Sequence, residues 1–174
     1  RASVETGLNK TISSVVSGPI IEDKLSAKIG VYYNDDDGYF TNQFNGNNDF
    51  GASETMIVRT ALRATPVDSV EIIGRYEHGR IRGDGAVVSS DWDQAILEVN
   101  IDVGDTGRIT SISGYRAYEG VVVSDIDSSP TYTFHADTLV EQDQFSQELR
   151  YAGTFGAIDL TTGVYYFSQN INYA

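Results

Sequence analysis

The chain has 174 residues, 25 acidic side chains against 12 basic ones, a net charge of −13, no cysteine, 17 glycines, 3 prolines and 11 tyrosines. A length near one typical domain argues against an array of small units. The missing cysteine excludes a disulfide scaffold, a thiolate zinc site, an iron–sulfur cluster and a cysteine nucleophile, and the scattered Lys and Arg exclude a phosphate-neutralising, nucleic-acid-binding surface.

Acidity does not exclude a membrane. No run approaches the roughly 18 apolar residues of a transmembrane helix, the longest apolar stretches being as short as Val121 to Val123, so a helical membrane protein is excluded. The chain starts at Arg1 and stops at Asn172, Tyr173, Ala174 inside a strand pattern. A fragment of a longer protein is expected.

In chain order, two-residue alternation predicts about nine β-strands and no helix. The first two, about Ala2 to Leu8 and Thr11 to Gly18, are weakly patterned. From Leu25 to Asn34, the side chains Leu25, Ala27, Ile29, Val31 and Tyr33 oppose Ser26, Lys28, Gly30, Tyr32 and Asn34. Glu54 to Ala64 sets Met56, Val58, Thr60, Leu62 and Ala64 against Thr55, Ile57, Arg59, Ala61 and Arg63. Val70, Ile72 and Tyr76 oppose Glu71, Arg75 and Glu77, and Ala95, Leu97, Val99, Ile101 and Val103 alternate with Ile96, Glu98, Asn100 and Asp102. A strand over about Gly107 to Glu119 places Ile109 and Ile112 on opposite faces. Phe145, Gln147, Leu149 and Tyr151 alternate with Ser146, Glu148, Arg150 and Ala152, and the last strand runs from about Ile158 to Ile171. Each clear strand has one apolar and one charged face.

Short turns are predicted at Gly18 to Asp23, Thr65 to Asp68, Val103 to Gly107 and Gly153 to Gly156, and long connections at Asp35 to Ser53, Ile81 to Gln94 and roughly Val121 to Asp143. Short and long alternate, which in an antiparallel up-and-down meander puts every tight turn at one end and every long loop at the other. An outer-membrane barrel has this asymmetry. The apolar face would then meet lipid, and Lys28, Arg59, Arg63, Glu71, Arg75, Glu77, Glu98, Asp102, Glu148 and Arg150 would line a wet lumen, with Tyr33, Tyr76, Tyr151 and Tyr166 near strand ends as an interfacial girdle. Arg59 and Arg63 are expected to face Glu71, Arg75 and Glu77 in an ion-pair ladder.

The run Asp23-Lys24-Leu25-Ser26-Ala27 leading to Tyr32-Tyr33-Asn34-Asp35-Asp36-Asp37-Gly38-Tyr39 resembles the early barrel of TonB-dependent outer-membrane receptors. So do Glu54-Thr55 with Val58-Arg59, Leu62 and Thr65-Pro66, and Phe145-Ser146-Gln147-Glu148-Leu149-Arg150 followed by Gly163-Val164-Tyr165-Tyr166-Phe167. The three motifs, in this order, span nearly the whole chain. The resemblance implies that residues 1–174 are part of a 22-stranded transmembrane β-barrel, without the plug domain and without the C-terminal strands. It also implies a location in the outer membrane of a Gram-negative cell, and import of a scarce bulky solute, most commonly a ferric siderophore, with energy from a TonB complex acting through the missing plug. Outer-membrane lipid and a small-molecule or chelate ligand are the other implied partners, and no cofactor is implied.

The loop aromatics Tyr39, Phe40, Phe44, Phe50, Trp92, Tyr132 and Phe134, interleaved with Asn42, Asn45, Asn47 and Asn48 and joined by His135, suit a ligand-capture rim. Asp35, Asp36 and Asp37 before Gly38 offer oxygens to Ca²⁺, yet their spacing departs from the EF-hand loop, and a solvated loop start explains them as well. His78 and His135 lack a neighbouring His or Cys at metal-ligand spacing, and no Gly-x-Ser-x-Gly elbow is present, so no enzyme is expected. The competing reading is a soluble, secreted β-sandwich that binds carbohydrate through the same loops and buries its apolar faces between two sheets.

Overall fold

The computed structural model describes residues 2–4, 9–44, 46–84, 88–126, 131 and 133–174. Its strands are β1 (Ala2–Val4), β2 (Lys10–Ile21), β3 (Leu25–Asp36), β4 (Ser53–Val67), β5 (Val70–Gly83), β6 (Val88–Val103), β7 (Gly107–Asp125), β8 (His135–Phe155) and β9 (Ile158–Tyr173). They form one nine-stranded antiparallel sheet in sequence order, β1 to β9. The fold is therefore the all-β meander expected. Every strand lies next to its chain neighbours, and the sheet has no second layer. Among the described residues no hydrophobic side chain is buried. A sandwich would bury its apolar faces against each other, so that alternative is overturned.

The strands outrun their predicted bounds mainly at one end. Four tight connections, 22–24, 68–69, 104–106 and 156–157, join the strands at one end of the sheet, and 37–52, 84–87 and 126–134 join them at the other. The second and third long connections are thus shorter than the sequence suggested. β2 to β9 run 12 to 21 residues, and towards the long-loop end both faces are polar, so alternation fades although pairing continues. Pro19 and Pro66 lie inside β2 and β4 rather than in turns. Each sits at a register shift, Pro19/Ile21 and Ala64/Val67, where the missing N–H costs no regular ladder bond.

Register fixes which side chains share a face. Leu25, Ala27, Ile29, Val31 and Tyr33 pair with Ala64, Leu62, Thr60, Val58 and Met56. The same face continues through Ile72 and Tyr76, through Leu97, Val99 and Ile101, and then through Ile109 and Tyr115, Phe145, Leu149 and Tyr151, and Val164 and Tyr166. Towards the long-loop end this apolar face turns acidic, and tyrosines mark the change. Tyr33 donates to Glu54 at 3.1 Å, Tyr76 to Asp93, and Tyr115 to Asp143 at 2.8 Å. The geometry repeats on β3, β5 and β7: each hydroxyl reaches diagonally to a carboxylate on the next strand, one step nearer the loops.

The tight turns depend on left-handed backbone. Gly104 has φ 62°, Gly156 has φ 66°, and Asp23 adopts φ 57° in the β2–β3 turn. A Cβ at that φ crowds the following carbonyl. Gly104→Val is expected to destabilise the chain by about 1–2 kcal/mol, whereas Asp23→Gly is neutral or mildly stabilising; denaturant midpoints of the two variants against the parent check the pair.

Candidate functional site

The face opposite the apolar one gathers the charges named from the sequence. Lys28, Arg59, Arg63, Glu71, Arg75, Glu77, Glu98, Glu148 and Arg150 all fall on it by register. With Arg108 and Arg116 it holds seven of the 12 Lys and Arg residues of the chain.

Pairing follows the pleat. Arg59 lies directly opposite Glu77 and binds it through Nε. Arg63 faces Ile73, so it reaches diagonally to Glu71 at 2.6 Å, and Arg75, facing Ile96, reaches Glu98 at 3.1 Å. Asn100, 6% exposed, joins these pairs by donating to Glu98 at 2.9 Å and to Glu71 at 3.4 Å, while its own carbonyl accepts from Thr110 at 2.7 Å. The result is a continuous polar seam, Arg63–Glu71–Asn100–Glu98–Arg75, across three strands. Near the tight turns Arg108 grips both oxygens of Asp102, at 2.6 and 3.2 Å, a forked geometry only a guanidinium supplies. Arg150 lies 3.5 Å from Glu148 on its own strand. Lys28 instead lines, with Arg59, Arg75, Glu77, Gln94 and Ile96, a hollow of about 470 Å³.

The loop candidates divide. The first long connection is itself folded: Phe40 and Phe50 pair as a β-bridge, the Asn42 amide donates to the Asn47 carbonyl at 2.7 Å, and the Asn42 and Asn47 side chains accept from the Phe44 and Asp49 amides. Gly38, at φ 82°, has no room for a Cβ beside the Ala52 amide and the Phe50 carbonyl. This folded tip leaves Tyr39, Phe40 and Phe44 exposed. Asp36 accepts from the Gly38 amide, and Lys10 lies 3.4 Å from Asp35 and 3.9 Å from Asp37. No group of three or more acidic or histidine side chains suited to a metal is found among the described residues; the aspartates open the loop and lie beside Lys10.

Phe134 is exposed in the third connection, and Tyr132 and Asn45 lie outside the described residues. Two placements differ from expectation. Trp92 and His135 are strand residues, in β6 and at the start of β8. Trp92 turns to the charged face, where its Nε1 donates to Glu77 at 2.8 Å. Sequence reasoning also passed over Tyr118 and Arg116, neighbours of Trp92 on that face, whose guanidinium and ring lie 5.6 Å apart.

No protein-family model and no curated protein matches the chain. Among solved structures it is similar to the crystal structure of the ferric yersiniabactin uptake receptor FyuA from Yersinia pestis, with a TM-score of 0.79 and 19% identity. The match covers 98% of this chain and 30% of the receptor's. The likeness is one of fold: the nine-stranded meander superimposes on less than a third of a longer chain.

Gly79 stands directly opposite Trp92, and a Cβ there would fall inside the indole. Gly79→Ala is therefore expected to lift the ring and break its bond to Glu77. Trp92 is the only tryptophan, so the change reads as a red-shifted emission and greater acrylamide quenching, with Arg59→Gln, which removes an exposed ion pair costing at most about 1 kcal/mol, leaving the emission within a few nanometres of the parent.

Proposed function

We propose that the chain forms part of the wall of an outer-membrane β-barrel receptor that captures a scarce, bulky solute, most commonly a ferric chelate, and admits it with energy delivered by a TonB complex. One observation carries this reading. The single sheet leaves Ile29, Leu62, Leu97, Leu149 and Val164 exposed on one continuous face, and with no second layer to cover it, lipid is the covering medium that matches an apolar band bordered by tyrosines. The opposite, ion-paired face then borders a lumen. The sequence motifs resembling TonB-dependent receptors and the fold likeness to a ferric-chelate uptake receptor point the same way.

The reading assigns work to each end. The folded first loop presents Tyr39, Phe40 and Phe44 for capture, its asparagines holding the tip in shape through their bonds to the Phe44 and Asp49 amides. The short-turn end faces the compartment from which energy arrives. The free edges of β9 and of most of β2 join further strands, because an open edge in lipid leaves backbone groups without partners. Binding and conformational change, not covalent chemistry, are the work proposed.

The cysteine-free chain makes the orientation measurable. Single cysteines at Leu97 and at Glu98, labelled in lipid vesicles, should report lipid at the first and water at the second; water at both would end the membrane reading. Leu97→Arg should cost roughly 2–4 kcal/mol of stability in the bilayer if it lies near the midplane, with Glu98→Gln well below that.

A further inference from the structure

Beside the ion-paired seam, the charged face carries a flat aromatic patch. The Trp92 indole lies on Gly79 of the neighbouring strand, and the Tyr118 ring covers Gly120 of its own strand so closely that a Cβ there would sit 2.9 Å from its Cε1 and Cζ. Trp92 and Tyr118 are directly opposed partners on β6 and β7. Both rings are tied at their polar tips: Trp92 Nε1 to Glu77 at 2.8 Å, and the Tyr118 hydroxyl to Ser90 Oγ at 3.0 Å. Pressed on glycine backbone and held at the tip, two adjacent rings lie along the wall instead of standing out from it. Both are half-buried, and the sheet has no second layer to pack across them.

The charges around the patch are unequal. Glu77 is already satisfied, by Trp92 and by Arg59. Arg116, two residues before Tyr118 and over its ring, differs from the other arginines of this face: Arg59, Arg63, Arg75, Arg108 and Arg150 each have a carboxylate in ion-pair range, and Arg116 has none among the described residues. Its Nε is buried without a hydrogen-bond partner. A flat π surface next to a guanidinium with no carboxylate in ion-pair range among the described residues and a buried, unbonded Nε favours a group that is both planar and negatively charged. A cationic ring finds no free carboxylate there among the described residues, and a neutral sugar leaves the guanidinium unmatched.

We propose that Trp92, Tyr118 and Arg116 form a stacking subsite for a planar anionic ring, an aryl carboxylate or phenolate borne by the transported solute. This rests on the receptor reading above, and it moves part of solute recognition from the loops to the wall. Because Trp92 is the sole tryptophan, its emission reports on the subsite directly. The chain within its complete barrel, with Trp92 kept as the sole tryptophan, is titrated in phosphatidylcholine vesicles with 2-naphthoate, with neutral 2-naphthylmethanol, and with cyclohexanecarboxylate, which has the charge but no π face. Saturable quenching by naphthoate is expected, about tenfold tighter than any by the alcohol, with no displacement by cyclohexanecarboxylate. Arg116→Gln should weaken naphthoate by about tenfold and leave the alcohol unchanged, and Tyr118→Leu should weaken both.

Equal binding of naphthoate and the alcohol by the parent chain overturns the proposal even if the variants fail to fold, as does displacement by cyclohexanecarboxylate or by methyl glucopyranoside. The cysteine labels at Leu97 and Glu98, read in the same vesicles, keep the two readings apart. Lipid at Leu97 with no saturable naphthoate quenching overturns the subsite alone. Water at both positions with quenching intact overturns the receptor reading and leaves a planar-anion site on a sheet.

Discussion

The structure depends on one constraint, an antiparallel hydrogen-bond register that runs from Ala2 to Tyr173 with two shifts, both in the strands that carry prolines. In a meander this unbroken, a residue's face is decided by counting pairs from strand to strand, and a slip of one residue would exchange the faces. The shifts at Pro19/Ile21 and Ala64/Val67 lie beside tight turns, where few residues remain to be misplaced. Stability thus comes from ladder bonds and cross-strand contacts rather than from a core. Such an arrangement suits the proposed setting, in which the medium on one side is itself apolar, since backbone pairing is most valuable where water cannot compete for it.

The same register sorts the charge. The balance of −13 is not spread evenly: the polar face pairs its arginines with Glu71, Glu77, Glu98, Asp102 and Glu148, so it is close to neutral. Besides the acidic residues of the turns and loops, excess acid lies beyond the tyrosines on the other face, where Asp91, Glu119 and Glu141 are consecutive cross-strand partners on β6, β7 and β8. Arg82 meets Asp91 at 2.6 Å and Arg80 meets Glu54 at 2.7 Å, which offsets part of this repulsion. The loop end of that face is therefore acidic, while the opposite face carries Arg116, which has no carboxylate in ion-pair range among the described residues.

Much of this was legible in the sequence. β3, β4 and the lower half of β6 alternate so regularly that face and strand both follow, and Arg59 with Glu77 and Arg63 with Glu71 could be paired because a tight turn fixes the count between them. Where the pattern failed, the cause is physical. Val88 to Gln94 reads as a polar loop because both faces of β6 are polar there, yet it is strand, and Trp92 with it. His135 to Gln144 hides the start of β8 in the same way. In the proposed setting neither stretch crosses the apolar medium, so nothing selects for alternation there.

Glycine–aromatic packing lay beyond sequence reading for a different reason. Gly79 and Trp92 are 13 positions apart and meet only through the β5–β6 register, and Tyr151 lies over Gly107 and Gly153, themselves partners across β7 and β8. In each case a ring fills the space that the glycine leaves, covering ladder bonds that would otherwise be open on that side. A packed domain shields its backbone with a second layer, whereas a one-layer wall does it with its own side chains laid flat. The need to shield the ladder and the ability to offer a flat π surface are then one property of the wall, which is why Trp92 and Tyr118 can hold the sheet together and still present a face to a solute.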